Sequence, residues 1–286
     1  MDSVIYEFVD RVFEKLKTDD IHSVNVDAPI WLEAARVYKQ KLQSIEVNIW
    51  NYWNDTGKLE YTISNEVGEK FTIDELLGLD SRFNRVRDVY ISLSTGFSDD
   101  VVGQILKILN HVSNFDLKIV KLMFPAKLPA PLQQALMEND FRIEHLNYGL
   151  ELGSHDFLKK QLMSPYLHSI DALSTLLDIP SQDSLIPYFE AFVCRPIFQR
   201  LNFCAEYFDL ETVKRIVAYW KAAKPTKEWS IEVATDHKEG REFDHWLKAT
   251  GDNDVPQLSE QIGDYALTVE CRSYWCYLNL KYSGQV

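Results

Sequence analysis

The residues best suited to chemistry are two cysteines and two histidines near the C-terminal end of the sequence. Cys271 and Cys276 flank the letters RSYW, and His237 and His245 precede them. Thiolates and imidazoles are common zinc ligands, but structural zinc sites use a closer cysteine spacing and a second matched pair. We therefore expect these cysteines to be buried structural thiols, and we expect no metal and no other cofactor.

Two pairs of adjacent acids are the next candidates, as a general acid and base. Asp19–Asp20 and Asp99–Asp100 each stand where helix-type sequence begins, and carboxylates at that position act as caps and first-turn charges. The sequence contains no G-x-S-x-G, H-E-x-x-H or C-x-x-C motif and no glycine-rich phosphate loop. We expect a protein that is not an enzyme.

The overall charge limits the kinds of molecule that the protein is expected to bind. The 286 residues carry 30 lysines and arginines against 43 aspartates and glutamates, and the formal net charge of −13 repels nucleic acid. No stretch approaches the roughly 18 uncharged apolar residues of a membrane span. Few cysteines and an acidic start without a signal peptide indicate a cytoplasmic or nuclear location. We expect protein partners, with neither nucleic acid nor a membrane.

Residues 1–43 are predicted to form a module of three helices. An apolar stripe at helical spacing runs along the first helix, with charged residues opposite. Thr18 or Asp19 can cap a short second helix, and Pro29 can open a third. The apolar positions of the module are Ile5, Phe8, Val9, Val12, Leu16, Ile21, Val24 and Trp31. Either the protein's own core or a protein partner must cover this stripe.

The rest of the chain is predicted to be α/β. In residues 44–85, alternating apolar and polar letters around the turn NDTGK predict a β-hairpin, followed by a connecting helix. In residues 86–286, strand-like segments recur about every 28 residues with helix-type sequence between them, which predicts a degenerate leucine-rich-repeat-like solenoid. The segment YALTVECRSYWCYLNLKYS is predicted to be a hairpin that caps it. An ordinary α/β domain of parallel βαβ units is the alternative.

Each repeat has apolar anchors and one outward position between them. The first anchors are Val89, Val120, Leu146, Ile170, Leu201 and, in a weaker sixth member, Trp229, which is followed by Ile231. The outward positions are Tyr90, Lys121, Asn147, Asp171 and Asn202. Their mixed and mostly polar side chains are compatible with a substrate-binding surface and equally with plain solvation.

The N-terminal module resembles an F-box. Val4 and Ile5 open the motif, and Phe8, Val12 and Leu16 follow at four-residue intervals. Asp20-Ile21 and Val24 form the second helix, and Trp31 closes the motif. Ile5 departs from the family, which most often has proline there. The layout of the whole chain is similar to that of nematode F-box-associated proteins, and PIFQRLNFCAEYFDLETVKRIVAYWKA resembles their C-terminal half.

This resemblance implies a substrate-recognition subunit of an SCF (Skp, cullin, F-box) ubiquitin ligase. The apolar positions of the module would bind a Skp-family adaptor, and a cullin through it, while the repeat region binds a substrate protein. The alternative is a non-enzymatic interaction scaffold in which the module only caps the solenoid. Capping predicts that Phe8, Val12 and Leu16 are buried against residues 45–110, whereas adaptor binding predicts that part of the stripe is exposed.

Overall fold

A computed structural model describes most of the chain, in residues 2–16, 18–24, 28–51, 59–93, 98–123, 128–149, 155–173, 185–223, 227–235, 242–243, 245–247, 257–272 and 275–283. The helices are α1 (Asp2–Lys15), α2 (Thr18–Ser23), α3 (Pro29–Lys41), α4 (Ile73–Gly78), α5 (Asp99–Val112), α6 (Ala130–Glu138), α7 (Asp156–Met163), α8 (Ile186–Val193) and α9 (Leu210–Ala222). The strands are β1 (Gln43–Asn51), β2 (Glu60–Asn65), β3 (Lys70–Phe71), β4 (Asn84–Leu93), β5 (Asp116–Met123), β6 (Arg142–Gly149), β7 (Ser169–Leu173), β8 (Arg200–Phe208), β9 (Trp229–Thr235), β10 (Gln257–Ile262), β11 (Tyr265–Arg272) and β12 (Trp275–Tyr282).

All of these strands belong to one sheet. Strands β4 to β9 lie side by side in chain order, and each is parallel to the next. At one end, β4 pairs in parallel with β1, which forms the expected antiparallel hairpin with β2. At the other end, β9 pairs with β12, β12 with β11 and β11 with β10, all antiparallel. The α/β prediction is therefore confirmed, and the sheet is continuous across the proposed boundary between residues 85 and 86.

Helices α5 to α9 each connect two consecutive parallel strands, and their apolar faces share one core with the sheet. Val89 and Ile91 of β4 are buried in the same cluster as Ile105 and Leu109 of α5. Because strand side chains alternate between two faces, the residues between the anchors lie on the opposite face. We call this opposite face the outward sheet face.

Five predicted first anchors pair with one another across neighbouring strands, from Val89 to Leu201. The sixth is wrong, because Leu201 pairs with Ile231 and not with Trp229. Alternation at period two fits both registers of EWSIEV, because a shift of two residues keeps the same side chains on the buried face. Trp229 lies against Trp220 of α9, with ring centroids 4.9 Å apart.

The C-terminal segment has one strand more than the sequence predicts. Strands β11 and β12 form the expected hairpin, in which Cys271 pairs with Cys276. The sequence pattern does not predict β10, because its residues, QLSEQI, contain few apolar side chains. It pairs with β11 and forms the end of the sheet, so β12 alone covers the edge of β9.

Lysine and arginine side chains join consecutive helices. Lys160 of α7 donates to the carbonyl oxygens of Met137 and Asn139 at the end of α6, at 2.8 and 2.7 Å. Arg195, which follows α8, donates to the carbonyl oxygen of Ser164 at the end of α7, at 2.8 Å. The last carbonyls of a helix lack intrahelical partners and carry partial negative charge. A cation from the next helix or the residues after it donates the missing hydrogen bond and balances the charge.

Candidate functional site

The three N-terminal helices have a small core of their own. Val9 and Phe13 of α1, Ile21 of α2 and Tyr38 of α3 are buried together, in a cluster separate from the core of the sheet. The expected amphipathic face of α1 is therefore partly used to hold the three helices together. Pro29 stands at the start of α3, as its restricted φ predicts.

Part of the apolar face of these helices is exposed. Phe8 is 61% exposed. Its ring lies edge-on to that of Trp31, with the ring centroids 6.5 Å apart. Among the other positions predicted to bind an adaptor, Val9 and Ile21 are buried, Val12, Leu16, Val24 and Trp31 are half-buried, and the side chain of Ile5 lies outside the described residues. The capping alternative requires Phe8 to be buried against residues 45–110. The exposure of Phe8 does not meet this requirement.

Arg85 of β4 ties α1 to the sheet. Its Nη2 donates to the carbonyl oxygens of Phe13 and Glu14, at 2.9 and 3.1 Å, and its Nη1 donates to that of Leu16. These oxygens form the C-terminal end of α1, where the helix dipole favours a cation. Burial lowers the pKa of Arg85, but a guanidinium remains protonated at neutral pH. No motif marked this arginine in the sequence.

Asp10 of α1 provides a second connection. It accepts a hydrogen bond from the Tyr38 hydroxyl at 2.9 Å, and Arg82 Nη1 lies 3.3 Å from its carboxylate. Burial and the Asp10 carboxylate raise the pKa of Tyr38. The Tyr38 ring also packs on Phe83, with centroids 5.1 Å apart. Both connections fix the direction in which Phe8 faces relative to the sheet.

The predicted outward positions do form one row across the sheet. The register pairs Tyr90 with Lys121, Lys121 with Asn147, Asn147 with Asp171, and Asp171 with Asn202. All five side chains are half-buried. The same row continues through Glu232, Tyr277 and Glu270. No sequence pattern reveals this continuation, because it depends on the register of β9 and on the pairing of β12 with β9.

A neighbouring row contains Asp88, His145 and Arg200. Burial, together with repulsion from Glu46, raises the pKa of Asp88, and burial lowers that of His145. Arg200 lies 3.4 Å from Asp171 in the first row. His145, Asp171 and Arg200 border a depression of about 570 Å³ on the outward sheet face. Its lining offers hydrogen-bond donors, acceptors and charges, which are suited to binding the polar groups of a ligand.

Two of the cysteines and one of the acid pairs have described surroundings, and these are structural. Cys276 is buried and Cys194 is half-buried, and burial raises the pKa of the Cys194 thiol to about 11. The side chain of Cys271 and all of His237 lie outside the described residues, and His245 is exposed. Asp99 and Asp100 occupy the first turn of α5, as predicted. In the described part of the chain, no cluster of three or more His, Cys, Asp or Glu side chains could hold a metal ion.

Comparisons with models of protein families, with curated proteins and with solved structures found no match. Within the described ranges, none of the helices combines the length and apolar character needed to cross a bilayer.

Proposed function

We propose that this protein is a substrate-recognition subunit of an SCF ubiquitin ligase. Its N-terminal helices bind a Skp-family adaptor, and through it a cullin, while the outward sheet face binds a protein substrate. The subunit acts by bringing the substrate close to a ubiquitin-charged enzyme and performs no chemistry itself. On this proposal it works in the cytoplasm or nucleus.

The exposure of Phe8 carries the proposal. Full burial of a phenylalanine side chain stabilises a protein or complex by about 1.5–3 kcal/mol, so a ring that is 61% exposed leaves much of that stabilisation unused. The helices are already held together by Val9, Phe13 and Tyr38. Phe8 is therefore not needed for their core, and it is available to insert into a groove on a partner.

The arrangement of strands supports the second half of the proposal. Six parallel strands in chain order, each joined to the next by a helix, are the arrangement that a leucine-rich-repeat-like solenoid has. We infer such a solenoid for residues 86–286. Its helices cover one face of the sheet, and its polar rows, from Tyr90 to Asn202, are presented on the other.

Co-purification with a Skp-family adaptor tests the proposal. The wild type and Phe8→Asp are compared with Val67→Asp, which places the same charge on a side chain that is 84% exposed in the turn between β2 and β3. We expect the wild type and Val67→Asp to retain the adaptor and Phe8→Asp to lose it, with similar melting temperatures for all three. Adaptor retention by Phe8→Asp, or none by the wild type, would overturn the proposal.

A non-enzymatic interaction scaffold is the second candidate, and the Arg85 contacts favour it. They show that α1 is bonded to the sheet through three carbonyl oxygens, as expected of a structural end unit. The scaffold predicts no adaptor binding by any variant, while the outward sheet face still binds a partner.

A further inference from the structure

Two cysteines lie directly opposite each other at the end of the C-terminal hairpin where β11 leads into β12. Cys271 of β11 pairs with Cys276 of β12 in the antiparallel register, and Arg272 pairs with Trp275 one position further on. Only residues 273 and 274 separate the two strands in the sequence. Because the register is a property of the backbone, it brings the two cysteine positions together independently of their side-chain rotamers.

The hydrogen bonds of the hairpin show which kind of pair this is. In an antiparallel ladder, pairs of residues that exchange backbone hydrogen bonds alternate with pairs that do not. The backbone amide of Ser283 donates to the carbonyl oxygen of Asp264, directly across the two strands, at 2.7 Å. Cys271 and Cys276 lie an odd number of positions along the ladder from this bond. They therefore form a non-hydrogen-bonded pair.

A non-hydrogen-bonded pair has the backbone geometry that a disulfide requires. Its Cα atoms are about 4.5 Å apart, within the range of about 4.4–6.8 Å that disulfides span. Residues in such a pair also hold their Cβ atoms closer together than residues in a hydrogen-bonded pair. A bond between Cys271 and Cys276 therefore needs no rearrangement of the two strands.

The pair lies where a covalent bond would hold the end of the sheet together. Cys276 is buried, and its other neighbour in the sheet is Val233 of β9. Since β12 is the strand that covers the edge of β9, a bond from β11 to β12 ties β11 to the parallel part of the sheet. Burial also means that a reagent reaches Cys276 when the end of the hairpin opens, and the ends of strands open at low cost in free energy.

We propose that Cys271 and Cys276 form a reversible disulfide by exchange with a small disulfide such as oxidised glutathione. One cysteine thiolate attacks the small disulfide, forms a mixed disulfide with one half of it and releases the other half as a thiolate. The second cysteine thiolate attacks the protein sulfur of the mixed disulfide and releases the second half. Two protein thiols are oxidised, the small disulfide is reduced to two thiols, and the two cysteine protons pass to these thiols.

The disulfide is a modification that responds to oxidising conditions, since glutathione keeps thiols reduced in the cytosol and nucleus. It depends neither on the adaptor nor on the substrate, so the co-purification with a Skp-family adaptor does not bear on it.

Peptide mapping of the full chain tests the bond. Arg272 lies between the two cysteines, so trypsin places them in separate peptides, residues 249–272 and 273–281, which only a disulfide can hold together. The folded protein is incubated with mixtures of reduced and oxidised glutathione until the products no longer change, and is then alkylated and digested. We expect linked peptides in excess oxidised glutathione and separate alkylated peptides in excess reduced glutathione. Separate peptides in every mixture, or glutathione on either cysteine without linked peptides, would overturn the proposal.

Matched variants test the effect of the bond on the sheet. Oxidation should slow backbone hydrogen exchange in β11 and β12 about tenfold or more and leave β5 to β8 unchanged, because a cross-link limits opening of the hairpin. Cys271→Ala should abolish the slowing, whereas Cys194→Ala, which removes a half-buried thiol at the end of α8, should retain it. Equal slowing in the two variants, or linked peptides without slower exchange in the wild type, would contradict the role given to the bond.

Discussion

At the scale of single residues, two side chains define the N-terminal module. The apolar ring of Phe8 is exposed, and Arg85 holds the C-terminal end of α1, the helix that carries Phe8. F-box-like spacing pointed to Phe8 in the sequence. Arg85 could not be found there, because its partners are carbonyl oxygens about 70 positions earlier in the chain, and any residue type can supply a carbonyl.

Replacing Arg85 should loosen α1 selectively. Arg85→Met keeps the aliphatic packing but leaves the carbonyl oxygens of Phe13, Glu14 and Leu16 without their cation, which should destabilise the protein by about 2 kcal/mol. Hydrogen exchange should show lost protection in α1 and little change in β5 to β8. Unchanged exchange in α1 would show that the Arg85 contacts do not hold the helix. Arg85→Lys, with a single ammonium, should fall between the wild type and Arg85→Met.

At the scale of elements, strands and helices alternate from β4 to β9, and cations from the following elements close the ends of α6 and α7. Apolar spacing was enough to predict the strands from β4 to β8, because each anchor is fixed by burial on one face. Apolar spacing did not determine the register of β9. Trp229, Ile231 and Val233 occupy alternate positions, so two registers fit the pattern equally well. In the observed register Trp229 packs on Trp220 of α9, a contact between a strand and a helix that the apolar spacing of the strand alone does not predict.

Lys160 provides a test of the helix-closing cations. Lys160→Met removes its two hydrogen bonds to the end of α6 and should cost about 1–2 kcal/mol of unfolding free energy. Lys107→Met, on the exposed side of α5, is the matched control and should change stability by less than about 0.5 kcal/mol. Urea denaturation of both variants measures the difference, and equal stabilities would contradict the role given to Lys160.

At the scale of the whole molecule, one sheet joins the N-terminal hairpin, the six parallel strands and the C-terminal strands. The sequence predicted the α/β class and both hairpins. It missed β10 and the extension of the polar row into β9, β12 and β11, because pairing between distant strands leaves no local pattern. Those late strands supply Glu232, Tyr277 and Glu270 of the row.

The two faces of the sheet should respond very differently to the same new charge. Leu146 of β6 is buried among the helices, and Leu146→Asp places an unpaired carboxylate in the core, at a cost of several kcal/mol. Asn147→Asp, one residue later on the outward face, should lower the melting temperature by only a few degrees. Thermal unfolding followed by circular dichroism compares them, and similar melting temperatures would refute the assigned faces.

The most direct test of the central claim is a calorimetric titration of the purified full chain with a purified Skp-family adaptor. The account predicts one-to-one binding by the wild type, at least about tenfold weaker binding by Phe8→Asp, and unchanged binding by Val67→Asp. No detectable binding by the wild type, or equal affinities for the wild type and Phe8→Asp, would contradict it.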